Sequence, residues 1–585
     1  MIPSFRLSAV KNSKNIFLFP IPLYGCLVLI PLNLGYSYYR RELMAEMEAK
    51  ILQQLGIIAG ICEEAGIPET IDKLVGKEGR KVSVGKAIKA LILNATGFSK
   101  KALYLTPTFY DSKPVDLLLG DGITAEDLHD DCLGTALDAL YEAGVTELFY
   151  NVSSEALRRY GINHKFVHLD TTTISLEGEY TPDPDDLDAQ EVYITKGFSK
   201  DSNPDLNQVV VSMMCGFRST LPVFLEVLSG NSSDKKSFAE SIKAFRKQFK
   251  KKGLPYFIAD SALYSKDNLT ELSDIKWVTR VPETISLAKE TIQNIAITDL
   301  TQSQDSPGYS YKEITTAYGD IRQRWLIVFS EKAYEKQNAT LTRNVNKEQE
   351  KKDKEFWHLT KHAYKCEADA RDAALKFEKK MKFHKLEFKV VEKKKYGKRG
   401  RPTSNSEETG FEYYLDGSVV KDSAAIGKHQ AKKGYFIIAT NELDVKKLDS
   451  ESMLSVYKSQ GVSVERGFRF LKDPLFFAES LYLKTERRIM ALIMVMALSL
   501  LVYSLAEKKI RKMLRVKGKT ITNQVGKQYD HPTLRWIFQK FGGVVMLKKR
   551  DGTKVTYQAM NMNQDLELIA DLLGPNVKKM YFPVF

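Results

Sequence analysis

The stretch Phe166-Val167-His168-Leu169-Asp170, followed by Thr171-Thr172-Thr173, decides how the chain is read. Its first five residues alternate between the two faces of a strand, and the three threonines read as a break. Asp170 then closes the strand, with His168 on the same face. A second apolar run, Tyr256-Phe257-Ile258-Ala259, ends in Asp260 in the same manner, and Ser265 opens the next helix. A single strand-end aspartate is ordinarily a turn or cap residue. Two of them, closing two hydrophobic strands, set an α/β reading and a search for a third carboxylate.

That search ends between Tyr457 and Lys472, Tyr-Lys-Ser-Gln-Gly-Val-Ser-Val-Glu-Arg-Gly-Phe-Arg-Phe-Leu-Lys. The spacing predicts a helix end, a break at Gly461 and a new helix capped by Ser463, stopped by Asp473-Pro474. Val464, Phe468 and Leu471 share one apolar face. Glu465, Arg469 and Lys472 share the flank beside it. Taken alone, this flank reads as an intrahelical Glu465–Arg469 ion pair.

The surrounding chain bounds the possibilities. Its 585 residues can hold more than one domain, and a formal charge of +14 favours a polyanionic partner, nucleic acid or a membrane surface. Five scattered cysteines with no CxxC pair exclude a zinc ribbon and a disulfide framework and fit a reducing cytoplasm. Ile16–Tyr39 carries no charge. It is open to three readings: a membrane span, a signal peptide, or an over-long start with translation beginning at Met44 or Met47. Residues 45–160 read as short helices, one of them capped by Asp130-Asp131. Strands follow at Gln208–Cys215, Pro222–Leu228 and Trp277–Pro282, with a helix carrying Phe238 and Ile242 between them.

Residues 285–445 look inserted. A hairpin, Tyr311–Ala317 with Gln323–Phe329, leads into a charged helical arm from Glu331 to Lys385. Strands Leu386–Val391, Phe411–Leu415 and Tyr435–Ala439 follow. The loop Lys393-Lys394-Lys395-Tyr396-Gly397-Lys398-Arg399-Gly400-Arg401-Pro402 carries Lys398, Arg399 and Arg401 as candidate DNA contacts, phosphate first and minor groove second. Ile489–Leu505 is apolar enough to suggest a membrane but short for one, so packing against the sheet is the reading taken.

Asp170, Asp260 and Glu465 together suit phosphoryl transfer at a diester. Two Mg2+ ions (or Mn2+) about 4 Å apart activate the attacking oxygen and stabilise the leaving one, and such ions need few carboxylates. Arg469 and Lys472 are placed to hold DNA phosphates. No Gly-rich nucleotide loop or histidine pair offers a rival chemistry.

The set His168-Leu169-Asp170-Thr171-Thr172, Gly197-Phe198-Ser199-Lys200-Asp201, Pro204-Asp205-Leu206-Asn207-Gln208, Gly230-Asn231-Ser232-Ser233-Asp234, Ala259-Asp260-Ser261-Ala262-Leu263-Tyr264, Arg280-Val281-Pro282 and Val464-Glu465-Arg466-Gly467-Phe468-Arg469-Phe470-Leu471-Lys472 resembles bacterial insertion-sequence transposases of the DDE class. The branch it resembles carries a tyrosine–arginine–glutamate–lysine signature, and the likeness runs from about Met47 to the end. It implies an RNase H-like core with a mixed sheet, interrupted by a β-rich insertion, and an N-terminal helical domain. It also implies metal-dependent cutting at the element's ends and attack of the freed 3′-hydroxyl on target DNA. By position, Asp170, Asp260 and Glu465 would be the metal ligands, and Tyr457 and Lys472 would meet phosphates of the element's end. The signature's arginine is Gln460 here, and Glu465 lies one residue farther from Tyr457 than the pattern asks.

The expected organisation is an extension (1–44), an all-helical domain that binds DNA ends (45–160), a catalytic core in two parts (161–284 and 446–510), an insertion (285–445) and a basic C-terminal region (511–585). Expected partners are double-stranded DNA, as terminal inverted repeats and target, and a second copy of the chain in a homodimer. The expected place of action is the nucleoid in the cytoplasm. The rivals are an inactivated copy that only binds DNA, and a membrane-anchored nucleic-acid-binding protein.

Overall fold

The computed structural model describes residues 16–23, 26–33, 46–76, 79–96, 105–178, 180, 192–200, 203–249, 253–396, 408–473, 483, 485–551 and 554–583. Its centre is a nine-stranded mixed sheet. Numbered along the chain, its strands are β1 (Phe166–Leu176), β2 (Asn207–Gly216), β3 (Pro222–Ser229), β4 (Tyr256–Ala259), β5 (Trp277–Arg280), β6 (Thr301–Gln302), β7 (Tyr309–Tyr318), β8 (Ile321–Ser330) and β9 (Tyr435–Thr440). Their order across the sheet is β3-β2-β1-β4-β5-β9-β8-β7-β6. β3, β2 and β1 form an antiparallel meander, and β4 and β5 run parallel to β1. β2 and β4 are buried along nearly their whole length because helices cover both faces. This is the RNase H-like core that the resemblance implied.

The threonines after Asp170 continue β1 to Leu176 instead of ending it. Threonine is β-branched and fits a pleated strand, and β2 offers a full antiparallel partner as far as Asn207. Asp170 is therefore mid-strand, just past the point where β4 stops. The strands β7, β8 and β9, which fall inside the 285–445 stretch, join the central sheet edge to edge. Outside that sheet lie the arm helix Glu331–Thr360, the helix Glu367–Glu378 and the hairpin His384–Tyr396 with Glu408–Lys421, which share a small core of their own.

The region expected to be all helical opens on a strand. Glu46–Ile51 pairs with Val545–Asp551, which also pairs with Lys554–Met560. Its local sequence gives little strand signal, and the partner lies about five hundred residues away in the chain, beyond the reach of periodicity. The helix after it, Leu55–Ala65, packs on Pro575–Tyr581 so closely that a Cβ at Gly60 would lie 2.6 Å from Val577 Cα. The N- and C-terminal regions are thus one packed unit.

The helix Glu486–Val516 is the described helix long and apolar enough to cross a membrane, yet 83% of its apolar window is buried inside the protein. It runs between the sheet and the N-terminal helices, where Arg488 clamps Asp138 at 2.7 Å. A helix hydrophobic on all sides belongs in such a position. Within the uncharged N-terminal stretch, Ile16–Leu23 and Cys26–Asn33 form an antiparallel pair and not a helix.

Candidate active site

β1 and β4 are in parallel register, with His168 opposite Ile258. Two residues further on, Asp170 on β1 comes level with Asp260, the residue after β4, across one strand spacing of about 4.8 Å. β4 and β5 pair Ile258 with Val278 and Ala259 with Thr279, so Arg280 comes level with Asp260 in turn. Alternation sends all three to the face that holds Phe166, Tyr256, Ile258 and Val278, which is covered by the helix Ser450–Lys458. The aspartates are held from behind. The Thr171 amide donates to Asp170 Oδ1 at 2.8 Å and the Ala262 amide to Asp260 Oδ1 at 2.8 Å. Thr279 Oγ1 donates to the Asp260 carbonyl at 2.6 Å.

The second helix on this face, Gln460–Leu471, carries Glu465. The break falls at Ser459, one residue before Gln460, and not at Gly461; Ser463 is buried mid-helix and caps nothing. Ser459 is held elsewhere: it lies 3.0 Å from His168 Nε2 and donates to the Val456 carbonyl at 2.8 Å. The hydroxyl proton is thereby used, which makes His168 the donor through Nε2–H. Burial lowers the His168 pKa to about 4, so the ring is neutral at ordinary pH. Tertiary bonding to β1 has overridden the local turn signal of glycine.

Val464, Phe468 and Leu471 pack on Met213, Cys215, Met496 and Leu500. Met213 and Cys215 are the β2 partners of Asp170 and His168, so the helix lies across the aspartate face. Gly467 makes the approach possible, since a Cβ there would meet Met213 Cε at 2.9 Å and Leu500 Cδ2 at 3.2 Å. The two flanks of the helix then diverge. Arg466 turns to Glu507 of the long apolar helix at 3.0 Å. Glu465 takes the opposite flank with Arg469, at 4.0 Å, both exposed. This is the intrahelical pair that the flank taken alone predicts, and an exposed pair at that separation is worth little.

Tyr457 is brought to the same place. Burial pushes its phenol up to about 12, against the Arg280 hydrogen bond, while the Asp260 charge adds to the rise. Lys472 caps the end of the Glu465 helix, as the Asp-Pro step implied. Lys398, Arg399 and Arg401 lie outside the described residues. The three carboxylates do not form a knot: the group of three potential ligands within 4.8 Å of one another, among the described residues, is the exposed His129, Asp130 and Asp131. There His129, and not the aspartates, caps the helix Asp130–Glu142 through Nδ1, which accepts from the Cys132 amide.

Two residues quoted among the resembling motifs, Arg280 and Lys200, were given no role by the sequence reading. Arg280 is the last residue of β5 and Asp260 the first after β4, so the ends of neighbouring parallel strands were the signal. Lys200 donates through Nζ to the Thr171 carbonyl at 2.8 Å and to Thr171 Oγ1 at 2.6 Å, beside Asp170. Nothing in its local sequence announces that contact.

Against known families, the transposase DDE domain matches residues 166–502, more than half of the chain and the whole span from Asp170 to Glu465. The chain belongs to the DDE transposase family. It is a DNA transposase, an enzyme of phosphodiester cleavage and transesterification, and its family works with divalent metal ions. Residues 47–154 match a domain of unknown function (DUF4277). No curated protein matches the transposase sequence. Among solved structures, the cryo-EM synaptic complex of piggyBac transposase with hairpin DNA is similar at 10% identity, covering 85% of this chain and 82% of that one, with a TM-score of 0.33.

Proposed function

We propose that Asp170, Asp260 and Glu465 are the catalytic carboxylates of this transposase and hold two Mg2+ ions, with Mn2+ as a substitute. The observation that carries this reading is the level placement of Asp170 and Asp260 on neighbouring parallel strands, under a helix whose outer flank bears Glu465. The donor set is all oxygen, which suits a hard cation. Held by these carboxylates, such ions would supply Lewis-acid activation of an attacking oxygen and charge stabilisation of a leaving one, at the element's ends and in the joining of the 3′-hydroxyl to target DNA.

The remaining roles belong to the chain. Thr171 and Ala262 amides fix the two aspartates, so no reorganisation is needed when charge develops. Arg280, beside Asp260, bonded to Tyr457 and paired with Glu283 at 2.9 Å, adds a cation to the site. Arg469 and Lys472 hold phosphates of the same strand, and residues 45–160 with the loop carrying Lys398, Arg399 and Arg401 add contacts to the terminal inverted repeats. Two copies act as a dimer on paired ends, at the nucleoid in the cytoplasm.

The test is cleavage of a labelled element end. Asp170→Ala, Asp260→Ala and Glu465→Gln each abolish Mg2+-dependent cutting and leave end binding intact. Cutting at the wild-type rate by any of the three removes that residue from the site.

A further inference from the structure

The arm helix Glu331–Thr360 begins where β8 ends. β8 is antiparallel to β9, and β9 is antiparallel to β5, so β8 runs in the same direction as the catalytic strands. The arm is therefore rooted at the C-terminal end of the parallel strands, the end at which Asp260 and Arg280 stand. Its buried residues, Leu341, Val345, Lys352 and Phe356, form one face, which packs toward the hairpin strand Glu408–Lys421.

The opposite face is a row of cations. Lys336, Arg343, Lys347 and Lys354 recur at steps of seven, four and seven residues, and all four are exposed. Lys361 continues the row just past the helix, and Glu350 sits at its edge. None of the four has an acidic partner among the described residues. Other cations of the same region do: Arg371 with Glu367, Lys376 with Asp372, Lys389 with Asp416 and Lys395 with Glu412. A helix stabilised for its own sake places acids four residues from its lysines. Glu350 stands at that spacing from Lys354, whereas Lys336, Arg343 and Lys347 have no acid four residues away, and the repulsion left among them is relieved by an external polyanion.

We propose that this face is a track for the backbone of duplex DNA, the same duplex whose end enters the carboxylate site. The inference rests on the transposase site proposed above. Lys336 to Lys354 spans about 27 Å at 1.5 Å per residue, the length of about eight base pairs. Contacts along it are to phosphates and are blind to sequence.

The experiment measures binding of the full chain to a duplex several turns long across a salt series. Each phosphate contact contributes about −0.9 to the slope of log K against log salt. The variant Lys336→Gln/Arg343→Gln/Lys347→Gln/Lys354→Gln therefore flattens the slope by about 3 to 4, with its melting temperature unchanged because all four side chains are exposed. The control Arg371→Gln/Lys376→Gln/Lys389→Gln/Lys395→Gln removes the same charge from paired positions and moves the slope much less. An unchanged slope in the first variant, or an equal change in both, overturns the track. So does an unchanged slope accompanied by a shift in oligomeric state, which assigns the face to a second copy of the chain. Wild-type protein that fails to bind duplex at all would count against the transposase site itself, a separate failure.

Discussion

The Ser459–His168 contact predicts a variant that loses catalysis faster than it loses stability. Ser459 joins the two helices on the aspartate face, and His168 lies two residues before Asp170 on β1. Ser459→Ala removes the acceptor for a fully buried Nε2–H, and His168 Nδ1 already lacks a partner. Leaving one buried donor unsatisfied costs about 1–3 kcal/mol of folding stability. The Glu465 helix stays docked, because Val464, Phe468 and Leu471 keep their contacts. Its register against β1 is no longer pinned, however, and a displacement of about 1 Å at a reacting group costs about 100-fold in rate. The assay is single-turnover cleavage of a labelled end at saturating enzyme, alongside end affinity and thermal melting. The expected result is a drop of about 100-fold in the cleavage step, unchanged affinity, and a modest fall in melting temperature. His168→Phe gives the same pattern, and the double variant is no worse than either single one. Additive losses would mean that the two residues act separately, and wild-type cleavage by Ser459→Ala well below its melting temperature would refute the reasoning outright.

Three further outcomes follow from the same geometry. Gly467→Val wedges the helix off Met213 and Leu500 and costs about 1–3 kcal/mol by overpacking, whereas Gly467→Ala is milder because Met213 Cε can move; chemical denaturation of both compares them. His168, at about 4 when folded against about 6.5 unfolded, takes up its proton only on unfolding in that window. Stability from this group is whole above about pH 6.5 and falls by about 1.4 kcal/mol per pH unit down toward 4, so His168→Phe melts with a shallower acid dependence. Lys472→Ala weakens binding of the element's end and flattens its salt slope by about 1, as loss of one phosphate contact requires; an unchanged slope takes Lys472 off the DNA.

What was legible in the sequence was whatever a short window could hold. Tyr256–Ala259 is four buried residues closed by an aspartate, and β4 has those bounds. Val464, Phe468 and Leu471 repeat at helical spacing and do lie on the sheet. The errors came where distant partners decide. Thr171 to Thr173 read as a break because a threonine run is ambiguous until β2 is known to lie beside it. Gly461 read as a helix boundary because glycine breaks helices on average, yet the boundary moved to Ser459 to reach His168, 291 residues earlier. The pairing of Glu46–Ile51 with Val545–Asp551 has no local signature at all.

The candidate site divides along the same line. Each carboxylate could be nominated locally, by its place at the edge of an apolar run. Their relation could not, since it depends on the parallel register that sets His168 opposite Ile258 and Ile258 opposite Val278. Arg280 makes the point most directly. Its motif was visible in sequence, but its place beside the aspartates follows only from the parallel register that sets Asp170, Asp260 and Arg280 level on three neighbouring strands.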